Sequence, residues 1–379
     1  MRLAVYLDYV HRREGAQVYA PRAFAVFAAG LRPWFDRLVI AGRVDPEPGS
    51  SHYPVPHDVE FAEMPHYTSA ASPVAVARIL GRALRDWDAV LRRVDAVWVL
   101  GPQGLAVPFA LLALARRKRV VLGVRQDLPT YARTRHPRRR VVHAAADLLD
   151  FCFRALGRLV PVVVVGPALA ARYRGGAPVL PLAVSLIPER ELDAPPPERT
   201  WDGTLTAISV GRLEEEKNPL LLADVLARLR AADPRWRLVV CGEGPLEGAL
   251  RERLAALGVA EAADLRGYLT QDGGLRDAYR EADALLHVSR TEGLPQVLFE
   301  AFAARLPVVA TDVGSVAEAG GDAVLLVPPE DPEAPAMRLR ELADDPGLRE
   351  RLVAAGLVRV RAHSLEAELE RTARFLQGA

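Results

Sequence analysis

The run RTEGLPQVLFEAFAARLP occupies residues 290–307. Just before it, Ala284–Val288 is an apolar run with the length and composition of a buried strand. Gly293 and Pro295 then mark a tight turn. Val297, Leu298, Ala301 and Phe302 recur with the spacing of a helix beginning near Pro295. A strand, a glycine-containing turn and a helix start leave the first backbone N–H groups pointing out of the helix, where an anion can meet them. Two carboxylates bracket the turn, Glu292 just before the helix and Glu300 about one turn inside it. A ligand lying across the helix start would meet Glu292 at one end and Glu300 at the other. The spacing alone also fits a Glu292 that interacts with the helix dipole and a Glu300 that is solvated or salt-bridged.

Outward from this stretch, apolar runs at Leu205–Val210, Leu238–Cys241, Leu265–Tyr268, Val308–Thr311 and Ala323–Val327 alternate with helical periodicity. The alternation predicts a doubly wound parallel sheet. A Pro- and charge-rich linker, IPERELDAPPPERTWDG at 187–203, precedes it. Before the linker the same alternation occurs once already. Strands are predicted at Leu3–Leu7, Leu38–Ala41, Val59–Ala62, Ala96–Leu100, Val120–Val124 and Val162–Val165. Helices are predicted at Val18–Leu31, Val74–Val94, Leu105–Arg116 and Val141–Leu159. Ligands of such sheets sit beyond the carboxyl ends of the strands, which directs attention to the loops Asp8–Gln17, Gly101–Gly104 and Arg125–Tyr131.

Half of the 379 residues are apolar and 26% are charged, which suits a folded enzyme with two cores. Met1 leads directly into the strand-like RLAVYL, and no signal or membrane-spanning pattern is expected; the longest membrane candidate, Val141–Val160, carries four charges. Cys152 and Cys241 sit in separate apolar runs and predict structural thiols in a reducing, cytoplasmic setting. Residues 1–184 hold 26 Arg and Lys against 14 Asp and Glu, a net of +12, and the remainder holds 23 against 34, a net of −11. A basic first half suits an acidic acceptor, a phosphorylated lipid or peripheral contact with an anionic membrane on its inner face. Charge complementarity between the two halves fits equally. Arg78, Arg82, Arg85, Arg92 and Arg93 lie outside the apolar stripe of Val74–Val94, a helix that could rest on lipid or pack on the sheet. Asp86 and Asp88 match the letters of a metal-binding pair, but mid-helix they point about 200° apart, so no metal site is expected there. Arg133–Arg140 is an acceptor-facing or a solvated loop.

The run EGLPQVLFEA, followed by LPVVATDVGS and Glu318, resembles the donor-sugar site of retaining glycosyltransferases of family 4, the glycosyl transferases group 1. Arg305 stands where that family usually has glycine, at an expected helix C-cap. In SVGRLEEEKNP the Gly-Arg-Leu and later Lys match the family's cationic segment, which points to Arg212 and Lys217 as stabilisers of a departing diphosphate. The resemblance implies the GT-B architecture: two doubly wound Rossmann-like domains, 1–184 and 185–363, face a central cleft. The helix at 364–379 crosses back to the first domain. It also implies acceptor binding by the first domain and nucleotide-sugar binding by the second. Glu300 would take the ribose hydroxyls, Glu292 with the backbone of Gly293, Leu294 and Pro295 would hold the transferred sugar, and Val297 would belong to the donor-binding set. Glu243, in the turn of CGEGPLEG, would line the donor pocket, although a Gly-x-Gly there reads first as a structural turn. Tyr268 and Leu269 fall where the family seats the nucleobase.

In the first domain the match is partial. Gly15 is the one glycine where the family has a glycine-rich turn beside the diphosphate, and Arg125 stands where the family often has histidine. Arg125 and Asp127 are then acceptor-facing, or a loop salt bridge. The implied function is retaining, metal-independent transfer of a sugar from a UDP- or GDP-type donor to a sugar, lipid or small-molecule acceptor. The resemblance implies no cofactor and no nucleic-acid partner. Two other classes stay open: a nucleotide-sugar epimerase or hydrolase, for which Asp127 is the one candidate acid–base group, and a non-catalytic sugar-nucleotide-binding subunit.

Overall fold

The computed structural model describes residues 1–67, 73–183, 185–197 and 199–378; within the first helix of that second segment, side chains are described from residue 79. The expected boundary at 184, the terminal residue 379 and the Arg78 side chain lie outside the described residues. The chain divides into two units, Met1–Leu186 with Leu365–Ala379, and Ile187–Ser364.

In the first unit the order is β1 (Arg2–Glu14), β2 (Gln17–Ala20), α1 (Phe24–Gly30), β3 (Arg37–Val44), β4 (Tyr53–Pro54), β5 (Glu60–Met64) and α2 (Pro73–Leu91). It continues with β6 (Ala96–Gly101), α3 (Ala106–Ala115), β7 (Arg119–Val124), α4 (Leu128–Arg135), α5 (Arg140–Leu156), β8 (Val162–Val165), α6 (Pro167–Ala171) and β9 (Val179–Leu182). The parallel part runs β5-β3-β1-β6-β7-β8-β9, so the strand order reverses between β1 and β6. Val-rich strands such as Val120–Val124 are apolar on both faces because helices cover both faces.

Two expectations fail here. Asp8–Gln17 is not a loop and Val18–Leu31 is not one helix. β1 continues to Glu14 and turns at Gly15, which is left-handed (φ +58°), into an antiparallel hairpin with β2. Pro21 cannot donate within a helix interior, so the helical part begins only at Phe24. Arg133–Arg135 likewise belong to α4 and not to a loop.

The second unit contains α7 (Glu189–Leu192), β10 (Leu205–Val210), α8 (Pro219–Ala232), β11 (Trp236–Cys241), α9 (Glu247–Ala256), β12 (Ala263–Gly267) and α10 (Leu275–Glu281). It ends with β13 (Ala284–His287), α11 (Gln296–Ala303), β14 (Val308–Thr311), α12 (Val316–Gly320), β15 (Val324–Val327), α13 (Glu333–Asp344) and α14 (Pro346–Ala362). Its sheet is wholly parallel in the order β12-β11-β10-β13-β14-β15, with the reversal between β10 and β13. The last helix, α15 (Leu365–Gln377), buries Leu369, Ala373 and Leu376 among the apolar residues of the first unit. Arg119 donates to the carbonyls of Phe375 and Leu376 and fixes the end of α15 there.

Candidate functional site

In open α/β sheets the crevice for a ligand lies at the carboxyl ends of the strands where the order reverses. In the second unit that point is flanked by the loop after β10, which carries Arg212 and Lys217, and the loop after β13, which carries Glu292. The loops are tied together: Arg290 N–H donates to the Glu216 carbonyl at 2.9 Å, and the Arg290 guanidinium reaches Glu215. Gly314 (φ +57°), from the loop after β14, packs on the Glu292 backbone so closely that a Cβ would stand 1.9 Å from its carbonyl oxygen. The Gly-x-Gly turn after β11 acts similarly. A Cβ on Gly242 would stand 1.8 Å from the Gly211 oxygen, and one on Gly244 2.4 Å from that of Leu213. Both glycines therefore position the Arg212 loop.

Three groups converge on one oxygen of Glu292. Lys217 Nζ lies 2.5 Å from Oε1, Ser289 Oγ donates to it at 2.7 Å, and His287 Nε2 is 2.9 Å away. Burial would push the Glu292 carboxyl up, but the Lys217 ammonium, His287 and the hydrogen bonds reverse this and hold it well below the usual carboxylate range. Arg212 forks between Glu214 and Glu216, the latter at 2.8 Å. Burial, with Glu214 alongside, raises the Glu216 carboxyl. A cavity of about 20 Å³ lies among Gly211, Arg212, Lys217, His287 and Ser289, room for about one water. Lys217 and Glu292 are thus in direct contact; a phosphate reaching the ammonium would have to take it over from the carboxylate.

Glu300, one turn into α11, is separate. It accepts from Gln271 Nε2 at 2.8 Å and Tyr279 Oη at 2.7 Å, and burial raises its carboxyl despite those bonds. It lines a larger cavity, about 230 Å³, with Gln271, Tyr279, Arg276 and Arg305. The Glu243 side chain accepts from the Tyr268 N–H at 3.3 Å, which brings those two expected residues together beside Leu269. No side chain caps α11, and Pro295 occupies its N-cap position, with Gly293 and Leu294 in the preceding turn and Val297 in the first helical turn. Arg305 adopts φ +59° at the end of α11, the left-handed position where glycine is free of strain, and its guanidinium is held by the Leu192 carbonyl.

The three first-unit residues have separate surroundings. Gly15 is a hairpin tip with open space around it, not a turn opening a helix. Arg125 is buried, its guanidinium 4.4 Å from the centre of the Phe24 ring, and burial lowers it to about 10. Asp127 caps α4 by accepting from Thr130 N–H and pairs with Arg172 at 2.5 Å, so the expected Arg125–Asp127 bridge is replaced. The Asp86–Asp88 pair lies within α2: Asp86 pairs with Arg82, Asp88 with Arg92 and Arg116. His287, Ser289, Gln271 and Tyr279 escaped the sequence reading, because each meets its glutamate through tertiary packing; only His287, a polar residue inside an apolar strand run, left a trace.

Residues 195–358 match the family described as "Glycosyl transferases group 1". That segment, a little under half of the chain, is similar to the glycosyl transferases group 1. Its relatives include a D-inositol 3-phosphate glycosyltransferase of Streptomyces bingchenggensis, 38% identical over 159 residues, which cover 39% of this chain and 35% of the relative. The lipopolysaccharide core biosynthesis mannosyltransferase LpsB of Rhizobium meliloti is 32% identical over 175 residues, 44% of this chain and 48% of LpsB. The chain thus spans about a third to a half of those relatives' lengths. Across whole chains the fold is that of HepE from Anabaena, solved in complex with UDP, with a TM-score of 0.74 at 14% identity and 100% of both chains covered. The chain, with its two parallel-sheet units, therefore has the GT-B fold, and the Arg212, Lys217, Glu292 and Glu300 positions all fall inside the segment that matches the glycosyl transferases group 1.

Proposed function

We propose that this chain is a glycosyltransferase that moves a sugar from a UDP- or GDP-type nucleotide sugar to an acceptor hydroxyl, with retention of configuration and without a metal ion. The observation that carries the reading is the Lys217–Glu292 pair at the reversal point of the sheet, inside the group 1 segment. On donor binding the diphosphate takes the Lys217 ammonium, and the Arg212 guanidinium stabilises the same charge. Glu292, released from Lys217 and already ionised, accepts from the hydroxyls of the transferred sugar, while Glu300 takes the ribose. The bond from the sugar's anomeric carbon to the diphosphate breaks, and the bond to the acceptor oxygen forms on the same face. The acceptor's proton passes to the departing diphosphate oxygen. HepE, similar in fold, was solved with UDP, which agrees with a nucleotide donor.

The acceptor is a sugar, lipid or small molecule bound by the first unit, and the enzyme works in the cytoplasm, peripherally on the inner membrane face. Among the described residues no helix is long and apolar enough to cross a membrane. The epimerase or hydrolase reading has nothing in its favour, since Asp127, its acid–base candidate, is held by Thr130 and Arg172. The test is steady-state kinetics with a panel of nucleotide sugars and acceptors. Arg212→Ala should lower turnover by roughly 10²–10³-fold, and chelator should leave the wild type active. Wild-type rates in Arg212→Ala and Lys217→Ala together would remove the leaving-group assignment, and loss of activity on chelation would remove the metal-free one.

A further inference from the structure

We infer that α5 is the membrane-contacting surface of the first unit, seated on an anionic lipid surface. This rests on reading that unit as membrane-facing and is independent of the donor chemistry. Val141, Leu148, Phe151 and Leu159 are 84%, 62%, 68% and 76% exposed, all within α5 or the turn that ends it. At about 100° per residue, Val141, Leu148, Cys152 and Ala155 fall on one stripe with Phe151 at its margin. Of the buried residues of α5, Ala146, Asp150 and Phe153 face the other way and Leu156 lies at the border beside the half-buried Cys152, so the helix has a second apolar face that its own core does not use. Such a face on an exposed helix, flanked by arginines, is the pattern of an interfacial helix.

The charges around it favour lipid over a second copy of the chain. Arg138, Arg139, Arg140 and Arg158 are exposed and, among the described residues, have no carboxylate partner. The two acids of α5 are neutralised: Asp147 pairs with Arg133, and Asp150 with Arg172. The basic helix to which the sequence pointed, α2, offers less from residue 79 on: of its large apolar side chains only Leu84 is exposed, at 40%, and of its arginines only Arg85 lacks a carboxylate partner among the described residues. Ala83, Trp87, Val90 and Leu91 turn inward, and Arg82, Arg92 and Arg93 are paired with Asp86, Asp88 and Glu60.

The test is cosedimentation of the full chain with vesicles of phosphatidylcholine plus phosphatidylglycerol, against phosphatidylcholine alone, at low and high salt. Binding should need phosphatidylglycerol and weaken with salt. The L148S/F151S variant should partition on the order of tenfold less or worse, and each of Arg138→Ser, Arg139→Ser and Arg140→Ser should cost on the order of fivefold. All of these positions are exposed, and an unchanged thermal melt shows that the fold is kept. Vesicle binding that survives L148S/F151S but is lost in R82S/R85S would keep the membrane reading and overturn the assignment to α5. Absence of binding to anionic vesicles would overturn both and leave the donor chemistry standing. A dimer in light scattering that L148S/F151S dissolves would assign the stripe to a second copy instead.

Discussion

Each unit places a carboxylate and a cation at the carboxyl ends of parallel strands beside the point where its strand order reverses, yet the two pairs behave oppositely. In the first unit Asp8, near the end of the parallel part of β1, meets Arg43 of β3 at 2.7 Å, and the Tyr67 hydroxyl donates to its other oxygen. Arg43 also donates to the Tyr67 and Asp8 carbonyls, and its guanidinium lies 4.0 Å from the centre of the Tyr67 ring. In the second unit Lys217 meets Glu292. Burial wins at Asp8 and raises its carboxyl; at Glu292 Lys217 and its companions overcome burial and lower it. The Arg43 side chain is 13% exposed and that of Lys217 24%. A cation locked by four contacts closes a structure. One held by a single carboxylate, with solvent on its other side, can change partner.

The sharpest way to break this contrast is to remove the cation from each pair. Arg43→Ala leaves Asp8 buried without its countercharge and should cost about 3–5 kcal/mol of stability in urea unfolding. A loss below about 1 kcal/mol would mean that the pair is as solvent-accommodated as a surface bridge. Lys217→Ala should instead lower turnover roughly 10²–10³-fold while costing less stability than Arg43→Ala. The reverse ranking in the two assays would abolish the distinction between a closing pair and an exchangeable one. A smaller effect is expected at Glu300, whose partners Gln271 and Tyr279 are neutral. Glu300→Ala should weaken nucleotide-sugar binding about tenfold by calorimetry, the scale of a hydrogen bond to a charged group. Unchanged affinity would detach the 230 Å³ cavity from the donor.

The same contrast shows what was readable from the sequence. The second unit was legible because its site is assembled from short, local segments: a Gly-Arg-Leu loop after one strand, and EGLPQVLFEA between a strand and its helix. Turn chemistry and helical period fix such segments without reference to the rest of the chain. The partners that set the charges were illegible, since Lys217 and Glu292 are 75 residues apart and Ser289 adds only one weak polar letter to a loop. In the first unit the failure was of a different kind. DYVHRREGAQ has no apolar alternation to reveal a strand, because past Leu7 the register of β1 against β3 breaks and the chain goes on to pair with β2. Arg125 reads as a loop cation, and only packing against Phe24 and Tyr9 makes it a buried one. Pro21, by contrast, was a visible stop that the apolar periodicity of Val18–Leu31 overrode.

The finest test of the comparison is the sign of a pH slope. Glu292 has a folded-state carboxyl below its unfolded value near 4.5, so its contribution to stability is complete above that value and is lost as pH falls toward the folded one. Asp8 is raised above its unfolded value near 3.8, so the folded state holds that proton more tightly, and the stability tied to it is present at low pH and lost as pH rises through the folded value. The melting temperature of the wild type minus that of Glu292→Gln should therefore increase with pH across the acid range, whereas the wild type minus Asp8→Asn should decrease. Each difference cancels the many carboxylates common to both proteins, so a slope of under about 1 kcal/mol per pH unit is still readable as a trend. If both differences slope the same way, the two pairs titrate alike. Lys217 would then be no more available to a diphosphate than Arg43 is.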